Sequence, residues 1–287
     1  MRRTLFDILD QRQFDIVKEY DRIYTLFYLD QQIGYYNRMQ PLAGYISDKY
    51  RLLPSYLIHR TISLDDFENE YKCQFYEPGY WPYQKKDENV RLNDFLLLCE
   101  YTYNFTKAIE PHVQKLCRES NSNKGINHVA MFLRNIESCV DELGCKIIVK
   151  NNIYIIVSTT PQVLAIAEIV EPELGTAIFE YNHFRLKGQL AEKLQILKLL
   201  ADDLEPQRKE LNSINNSLSN NLFQMFQFFV RHNHTGDEKY KQLSDDEIEA
   251  WYDDIYQMYL LAKLELDQVE RNKRVKEFLA IPNNSTN

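Results

Sequence analysis

The sequence predicts a mainly α-helical protein, a helical bundle that carries a small β-hairpin α/β element near residues 145–181. Hydrophobic residues make up 44% of the 287 residues and charged residues 26%, the balance of a chain with a packed core. Glycine is scarce, at 8 residues, which disfavours folds built on many tight turns or glycine-rich loops. Over most of the chain, apolar residues recur at steps of three and four, the period of an amphipathic helix.

We expect two regions, an N-terminal one over residues 1–185 and a C-terminal helical bundle over residues 186–287. In the N-terminal region the helical period predicts helices over residues 4–28, 42–53, 93–117 and 126–143. Pro54 should end the second of these, and Pro111 should break or kink the third. Gly144 stands where a glycine commonly closes a helix, at the end of the fourth.

The apolar pattern changes after Gly144. Two runs rich in β-branched residues, 146–149 and 153–157, flank Lys150-Asn151-Asn152. Asparagines tolerate the positive φ angles of tight hairpin turns, so the sequence predicts a β-hairpin. Thr160-Pro161 then begins a helix to about residue 170, because proline suits the first helical turn. Residues 176–181 are expected to add a third strand.

The C-terminal region reads as helices to its end. We predict a helix over residues 186–204, a break at Glu205-Pro206, and helices to about residue 218 and over 220–230. Ser244 and Glu247 have the spacing of a capping box that opens a long final helix. Its apolar stripe is interpreted as a core face, with a dimer seam as the alternative. The stripe contains Ile248, Trp251, Ile255, Tyr259, Ala262, Leu266 and Val269.

Charge and motif content exclude several classes of protein. The net charge of −8 argues against a protein that coats nucleic acid with its whole surface, although a local basic site for RNA is compatible with it. The five cysteines are scattered without a CxxC pair, which favours reduced thiols over a disulfide framework. There is no signal peptide and no stretch of about 20 apolar residues, so we expect a cytoplasmic protein with no membrane contact. Nucleotide-binding and zinc-protease motifs are absent, and no cofactor is predicted.

Residues 73–90 form an aromatic segment in which tyrosines, phenylalanine and Trp81 alternate with Pro78, Gly79 and Pro82. One interpretation is a platform that stacks bases or binds a peptide. The other, which we favour, is that the aromatic rings fix a long loop to the core.

The strongest chemical signal is Arg231-His232-Asn233-His234, at the end of a predicted helix. Arg231 could hold a phosphate with two parallel hydrogen bonds. One histidine could take the proton of a ribose 2′-hydroxyl while the other protonates the leaving oxygen, with Asn233 orienting a ring or the substrate. These four residues are our candidate catalytic site, and the chemistry needs no metal.

Two alternatives use the same segment. In the first, Arg231 pairs with acids of the final helix while His232 and Asn233 satisfy the carbonyls at a helix end. In the second, His232 and His234 bind a transition metal with Asp237 or Glu238 as a further ligand. That ligand set is incomplete, so no metal site is predicted.

The succession of a helix, this loop and a long helix resembles the HEPN superfamily. The amino-acid sequence of residues 228–234, together with that of 251–256, is similar to bacterial proteins of abortive infection, the phage-defence type. The resemblance covers about residues 186–280. It implies a metal-independent endoribonuclease that acts as a homodimer in phage defence or as a toxin. The family histidine would fall here on Gly236, Asp237 or Glu238. The resemblance therefore implies either a nuclease in which His234 takes that role or a non-catalytic member that serves as a scaffold.

Two functions follow. The first is an endoribonuclease effector whose partner is RNA. The second is a non-catalytic interaction protein with a protein partner and a helical dimer face. The surroundings of Arg231 distinguish them: clustering of other basic residues around it would favour RNA, and their dispersal would favour protein binding. The residues in question are Arg185, Lys187, Arg208 and Lys209.

Overall fold

The computed structural model describes residues 14–31, 33–35, 38–54, 57, 75, 88–120, 124–231 and 238–281. The chain forms two compact units, Met1–Ser158 and Thr159–Asn287. The division expected after residue 185 thus lies earlier, at Ser158. The reason is packing: Val163, Ile166 and Ile178 are buried in the same hydrophobic cluster as the C-terminal helices. The predicted fold class, mainly α with a small β-hairpin, is confirmed.

The first unit is built on two long helices. Its elements are α1 (Ile16–Tyr24), a π-helical turn (Thr25–Leu29), the short hairpin of β1 (Ile33–Tyr35) and β2 (Arg38–Gln40), α2 (Leu42–Asp48), a 3-10 turn (Tyr50–Leu52), α3 (Glu88–Ser120), α4 (Lys124–Glu142), β3 (Cys145–Lys150) and β4 (Ile153–Ser158). Phe27 of the π turn packs on Phe132 of α4, with ring centroids 5.6 Å apart. Both rings are fully buried, so this contact lies in the core of the unit.

Several predicted helix ends need correction. α3 continues through Pro111, so this proline does not end the helix. The predicted helix over 42–53 is shorter, because the α-helix stops at Asp48 and a 3-10 turn follows. Residues 4–13 of the first predicted helix lie outside the described residues. Gly144 closes α4 as predicted, with a φ of 67° that a glycine adopts without strain.

The predicted hairpin is confirmed. β3 pairs antiparallel with β4, from Cys145 opposite Ser158 to Lys150 opposite Ile153. Asn151 and Asn152 have φ angles of 50° and 65°, the left-handed pair that a two-residue hairpin turn requires.

The outer edge of β4 is covered by side chains of α3. Asn104 donates to the carbonyl of Tyr154 at 2.7 Å and accepts from its N–H at 2.8 Å, as a neighbouring strand would. Glu100 accepts from the N–H of Ile156 at 2.8 Å. Side chains of α3 therefore satisfy three backbone groups on this edge of β4, as a neighbouring strand would.

The second unit is a helical bundle. Its elements are α5 (Pro161–Ala167), α6 (Pro172–Tyr181), a 3-10 turn (Phe184–Leu186), α7 (Leu190–Leu204), a 3-10 turn (Glu205–Gln207), α8 (Arg208–Ile214), α9 (Asn216–Met225), a π-helical turn (Phe226–Arg231), α10 (Glu238–Lys241) and α11 (Asp245–Leu279). The predicted third strand over 176–181 is wrong: these residues belong to α6. Pro172 starts that helix, and Ala177, Ile178 and Tyr181 are buried on one side of it.

α11 is the central helix of this bundle, and its start is as predicted. Ser244 accepts from the N–H of Glu247 at 3.3 Å, and Glu247 accepts from the N–H of Ser244 at 2.8 Å. The predicted stripe is a core face in part: Ile248, Ile255, Tyr259 and Ala262 are buried. Trp251 is 42% exposed, and the buried side of the helix is completed by Tyr252, Tyr256 and Leu260 instead.

Candidate functional site around Arg231

Arg231 is the last residue of the π-helical turn that extends α9. The turn is anchored by aromatic rings: Phe226 and Phe229 are buried, and Phe229 packs edge-on against Tyr252 of α11 at 6.3 Å. His232, Asn233 and His234, the other predicted catalytic residues, lie outside the described residues, as does Asp237.

The guanidinium of Arg231 is engaged by oxygen atoms of the chain itself. Nη1 lies 2.6 Å from Oε2 of Glu205, and Nη2 lies 3.6 Å from Oδ1 of Asp202. Nη2 also donates to the carbonyl of Ala201 at 3.3 Å. The acids stand at the end of α7 and in the 3-10 turn after it, not in the final helix that the first alternative named. One third of the Arg231 side chain remains exposed.

Arg231 and Glu205 form an ion pair that is shielded from solvent on the side of Oε2 of Glu205. Oε2 of Glu205 is buried, and the approach of Arg231 does not meet hydrogen-bond geometry. The Coulombic attraction is therefore what stabilises this carboxylate oxygen inside the bundle. Pro206 interrupts the helix after α7, and this interruption sets the position of Glu205.

The basic residues that could mark an RNA site do not gather as a group. Arg208 shares Glu205 with Arg231, at 3.5 Å, and its guanidinium lies over the ring of Phe223. Arg185 instead stacks on its neighbour Phe184. The positive charge of Lys187 helps to lower the pKa of Glu249. Lys209 is exposed on α8. Around Arg231 itself, two arginines meet two carboxylates, so the positive charge of the cluster is offset.

A second polar cluster was not predicted from the sequence. Nζ of Lys193 lies 2.7 Å from both Oε1 of Glu249 and Oδ1 of Asp253, and the lysine is 6% exposed. Tyr181 donates to the same Oδ1 at 2.9 Å, and the N–H of Gly188 donates to Glu249 at 2.9 Å. The available signal was a lysine on the buried face of α7, between apolar residues of that face.

This network determines the titration of its members. Burial raises the pKa of Glu249, but hydrogen bonds from Lys193 and Gly188 and the charge of Lys193 outweigh it, so the net pKa is lowered from 4.5. Burial, together with Asp253, raises the pKa of Tyr181. Glu249 is thus ionised and the Tyr181 phenol neutral at neutral pH. Each group has a partner, and this is the pattern of a structural network.

A third cluster repeats the scheme further along α11. Asp203 accepts from the hydroxyl of Tyr259 at 2.8 Å and lies 3.1 Å from Nζ of Lys263. Burial and the charge of Asp203 raise the pKa of the Tyr259 hydroxyl. Both clusters tie α7 to α11 and leave no group poised for proton transfer.

The described thiols of the first unit are unsuited to nucleophilic chemistry. Cys99, Cys117, Cys139 and Cys145 are buried. Burial raises the pKa of Cys139 and of Cys145 to about 12, so both stay protonated at neutral pH.

Of the aromatic segment 73–90, the structure describes Phe75 and the first turn of α3. The Phe75 ring packs on Tyr101 of α3 at 5.0 Å, and Tyr101 is buried. This one contact agrees with the interpretation in which aromatic rings fix the loop to the core. The other residues of the segment up to residue 87 lie outside the described residues.

Within the described parts of the chain, no group of three or more His, Cys, Asp or Glu side chains is arranged to hold a metal ion. No helix in those parts is long and apolar enough to cross a bilayer. A half-open cavity of about 190 Å³ lies beside the hairpin, between Asn104, Lys107 and Tyr154. The ammonium group of Lys107, which lines this cavity, is already paired with Glu110 at 2.8 Å.

Comparison with known proteins adds no relative. No protein-family model matches the chain, and neither a curated protein nor a solved structure matches it.

Proposed function

We propose that the chain is a non-catalytic interaction protein whose C-terminal bundle is a degenerate HEPN-like domain acting as a scaffold. The observation that supports this is that Arg231 is already engaged by groups of the chain itself. Its guanidinium is held by Glu205, Asp202 and a backbone carbonyl. A phosphate approaching it would meet two carboxylates, and like charges at such distances repel.

The charge distribution supports the same proposal. Of the four basic residues expected at an RNA site, Arg208 accompanies Arg231, while Arg185 and Lys187 interact with Phe184 and Glu249. An enzyme that grips an RNA backbone commonly offers a broader basic surface, and this chain has a net charge of −8.

The proposal is tested by separating stability from RNA cleavage. Arg231→Ala should lower the melting temperature of the purified protein. It should leave cell growth and the integrity of total RNA the same as with wild-type expression. Wild-type protein should co-purify with a stoichiometric protein partner or with a second copy of itself after crosslinking in cells. Fragmented RNA with wild type, and intact RNA with an Arg231→Ala protein that is still folded, would reject the proposal.

A second candidate is the endoribonuclease effector of a phage-defence or toxin system. The specific observation in its favour is the π-helical turn that ends at Arg231, since such turns often occur at functional sites. One third of the Arg231 side chain stays exposed, and Arg208 is a second guanidinium on the same carboxylate. In this candidate Glu205 would orient Arg231 toward a phosphate, while His232 or His234 handles protons.

The two candidates differ in what Arg231→Lys does. Lysine keeps the positive charge beside Glu205 but cannot offer the planar pair of donors that a phosphate accepts. A scaffold should keep most of its stability and all of its binding in this variant. A nuclease should lose most of its cleavage rate, and the cut RNA would carry 2′,3′-cyclic phosphate ends.

A further inference from the structure

The hairpin of β3 and β4 has two edges, and α3 covers one of them. On β4 the backbone groups of Tyr154 and Ile156 point away from β3, since Asn104 and Glu100 of α3 bond to them. Both of these polar side chains are buried. They occupy the edge at which a third strand would otherwise pair.

The other edge of the hairpin, formed by β3, is open. Val149 lies opposite Tyr154, and Ile147 lies opposite Ile156. In an antiparallel pair, two residues that lie directly opposite either bond to each other or both turn their backbone groups outward. The N–H and C=O groups of Ile147 and Val149 therefore point outward. None of these four groups has a hydrogen-bond partner among the residues that the structure describes.

The side chains of β3 leave this edge accessible. Val149 is 55% exposed, Lys146 is exposed and Ile147 is half-buried. A row of alternating N–H and C=O groups on a strand edge pairs with an extended peptide, and the main-chain bonds supply the affinity. A phosphate group fits less well, because its oxygens accept from N–H groups but have no hydrogen to donate to the two carbonyls.

The hairpin carries positive charge in an acidic chain. Residues 145–158 contain two lysines and no acid, whereas the whole chain has a net charge of −8. Lys146 and Lys150 lie on the same face of β3, with Ile148 between them. Opposite charges on neighbouring strands stabilise their pairing. A strand that fits this edge therefore has acids opposite the two lysines and apolar residues opposite the three residues between them.

We propose that the open edge of β3 binds an extended peptide segment of a partner protein, in which an acidic residue stands on each side of three apolar residues. The segment adds a third strand to the hairpin, and its backbone bonds to Ile147 and Val149. A second copy of this chain fits less well, because pairing the same edges brings lysines against lysines. The site lies in the first unit and goes beyond the role proposed for the C-terminal bundle.

The first test is the fluorescence anisotropy of a labelled peptide titrated with the full chain. The probe has the core Glu-Val-Val-Val-Glu between serines, which reads the same in both directions and so pairs in either strand orientation. Wild type should bind it with a Kd below about 100 μM. Val149→Pro should raise the Kd at least about tenfold, because it removes an outward N–H and leaves the bonds between β3 and β4 in place. Val149→Thr is the matched control, since it keeps the N–H and the branched side chain, and its Kd should stay within about twofold of wild type.

The second test concerns the charge of the partner. Lys146→Glu should raise the Kd of the acidic probe about tenfold. The same variant should bind more tightly than wild type to a second probe, in which lysines replace both glutamates. Lys198→Glu is the control, because Lys198 is an exposed lysine of α7 and should leave the Kd of both probes unchanged.

Hydrogen exchange locates the bound peptide. A saturating amount of the acidic probe should slow exchange at the N–H groups of Ile147 and Val149 and leave that of Ile148, which faces β4, unchanged. The proposal is overturned if the probe does not bind at about 1 mM, if Val149→Pro and Val149→Thr bind alike, or if the lysine probe binds wild type as tightly. Self-association of the chain that Val149→Pro abolishes would overturn it in favour of a second copy. RNA cleavage tests the bundle alone, so the two proposals can fail separately.

Discussion

Removing the Arg231 side chain should destabilise the second unit by about 2 kcal/mol. Arg231→Ala deletes a hydrogen bond to the carbonyl of Ala201, at 3.3 Å, a contribution of about 1 kcal/mol. It also leaves the buried Oε2 of Glu205 without its nearest cation. One third of the arginine is in solvent, so we discount this ion pair to about 1 kcal/mol. The longer contact to Asp202 is mostly solvated and adds little.

The prediction is checked by thermal and urea unfolding of the purified variant. A loss of about 2 kcal/mol corresponds to a fall in Tm of about 4–8 °C for a unit of this size. Arg271→Ala is the control, since this exposed arginine pairs with Asp267 one turn away and should shift Tm by less than about 2 °C. If Arg231→Ala melted within about 1 °C of wild type, the contacts of Arg231 would not stabilise the second unit.

Three further predictions concern polar side chains of the two units. Lys193→Met should lower the unfolding free energy by about 3 kcal/mol at pH 7, because Glu249 and Asp253 lose their shared cation. The native pKa of Glu249 is lowered from 4.5, so the ionised carboxylate should contribute its full stabilisation to wild type above pH 4.5. Wild type should lose this stabilisation as the pH falls through the lowered pKa. In urea melts from pH 7 to 3, the unfolding free energy of the variant should depend less on pH. Asn104→Leu should cost about 2–3 kcal/mol and speed hydrogen exchange at the N–H of the residue it caps, Tyr154, whereas unchanged exchange would contradict the edge-covering role. Asn152→Gly should raise the unfolding free energy by about 0.5–1 kcal/mol, since Asn152 has a φ of 65°, and a destabilised variant would mean that its side chain contributes more than the strain costs.

Local signals predicted the elements that depend on neighbouring residues. The asparagine turn at 151–152, the helix start at Thr160-Pro161 and the Ser244 capping box were all readable, since each acts within three or four residues. The structure adds that Thr160 caps this helix, because its side chain accepts from the N–H of Val163. The error over 176–181 arose because an apolar run with a β-branched residue suits a strand and a buried helix face equally.

The candidate site was harder to predict because its contacts join distant parts of the chain. Arg231 was identified as important, but its partners lie on α7 and the turn after it, and no local pattern identifies which helix neighbours another. The same holds for Lys193 and Asp253, which are 60 residues apart. Periodicity gives the buried face of a helix, whereas a charged residue on that face finds its partner through the packing of the whole bundle.

The most direct test of the central claim is RNA cleavage by the purified full-length protein. Wild type, Arg231→Ala and His234→Ala would each be incubated with total RNA in the presence of a chelator, and new RNA ends would be mapped. The scaffold account predicts no cleavage above buffer for any of the three proteins, together with a lower Tm for Arg231→Ala. Cleavage by wild type that leaves 2′,3′-cyclic phosphates and disappears in both variants would contradict it and assign the segment 231–234 to catalysis.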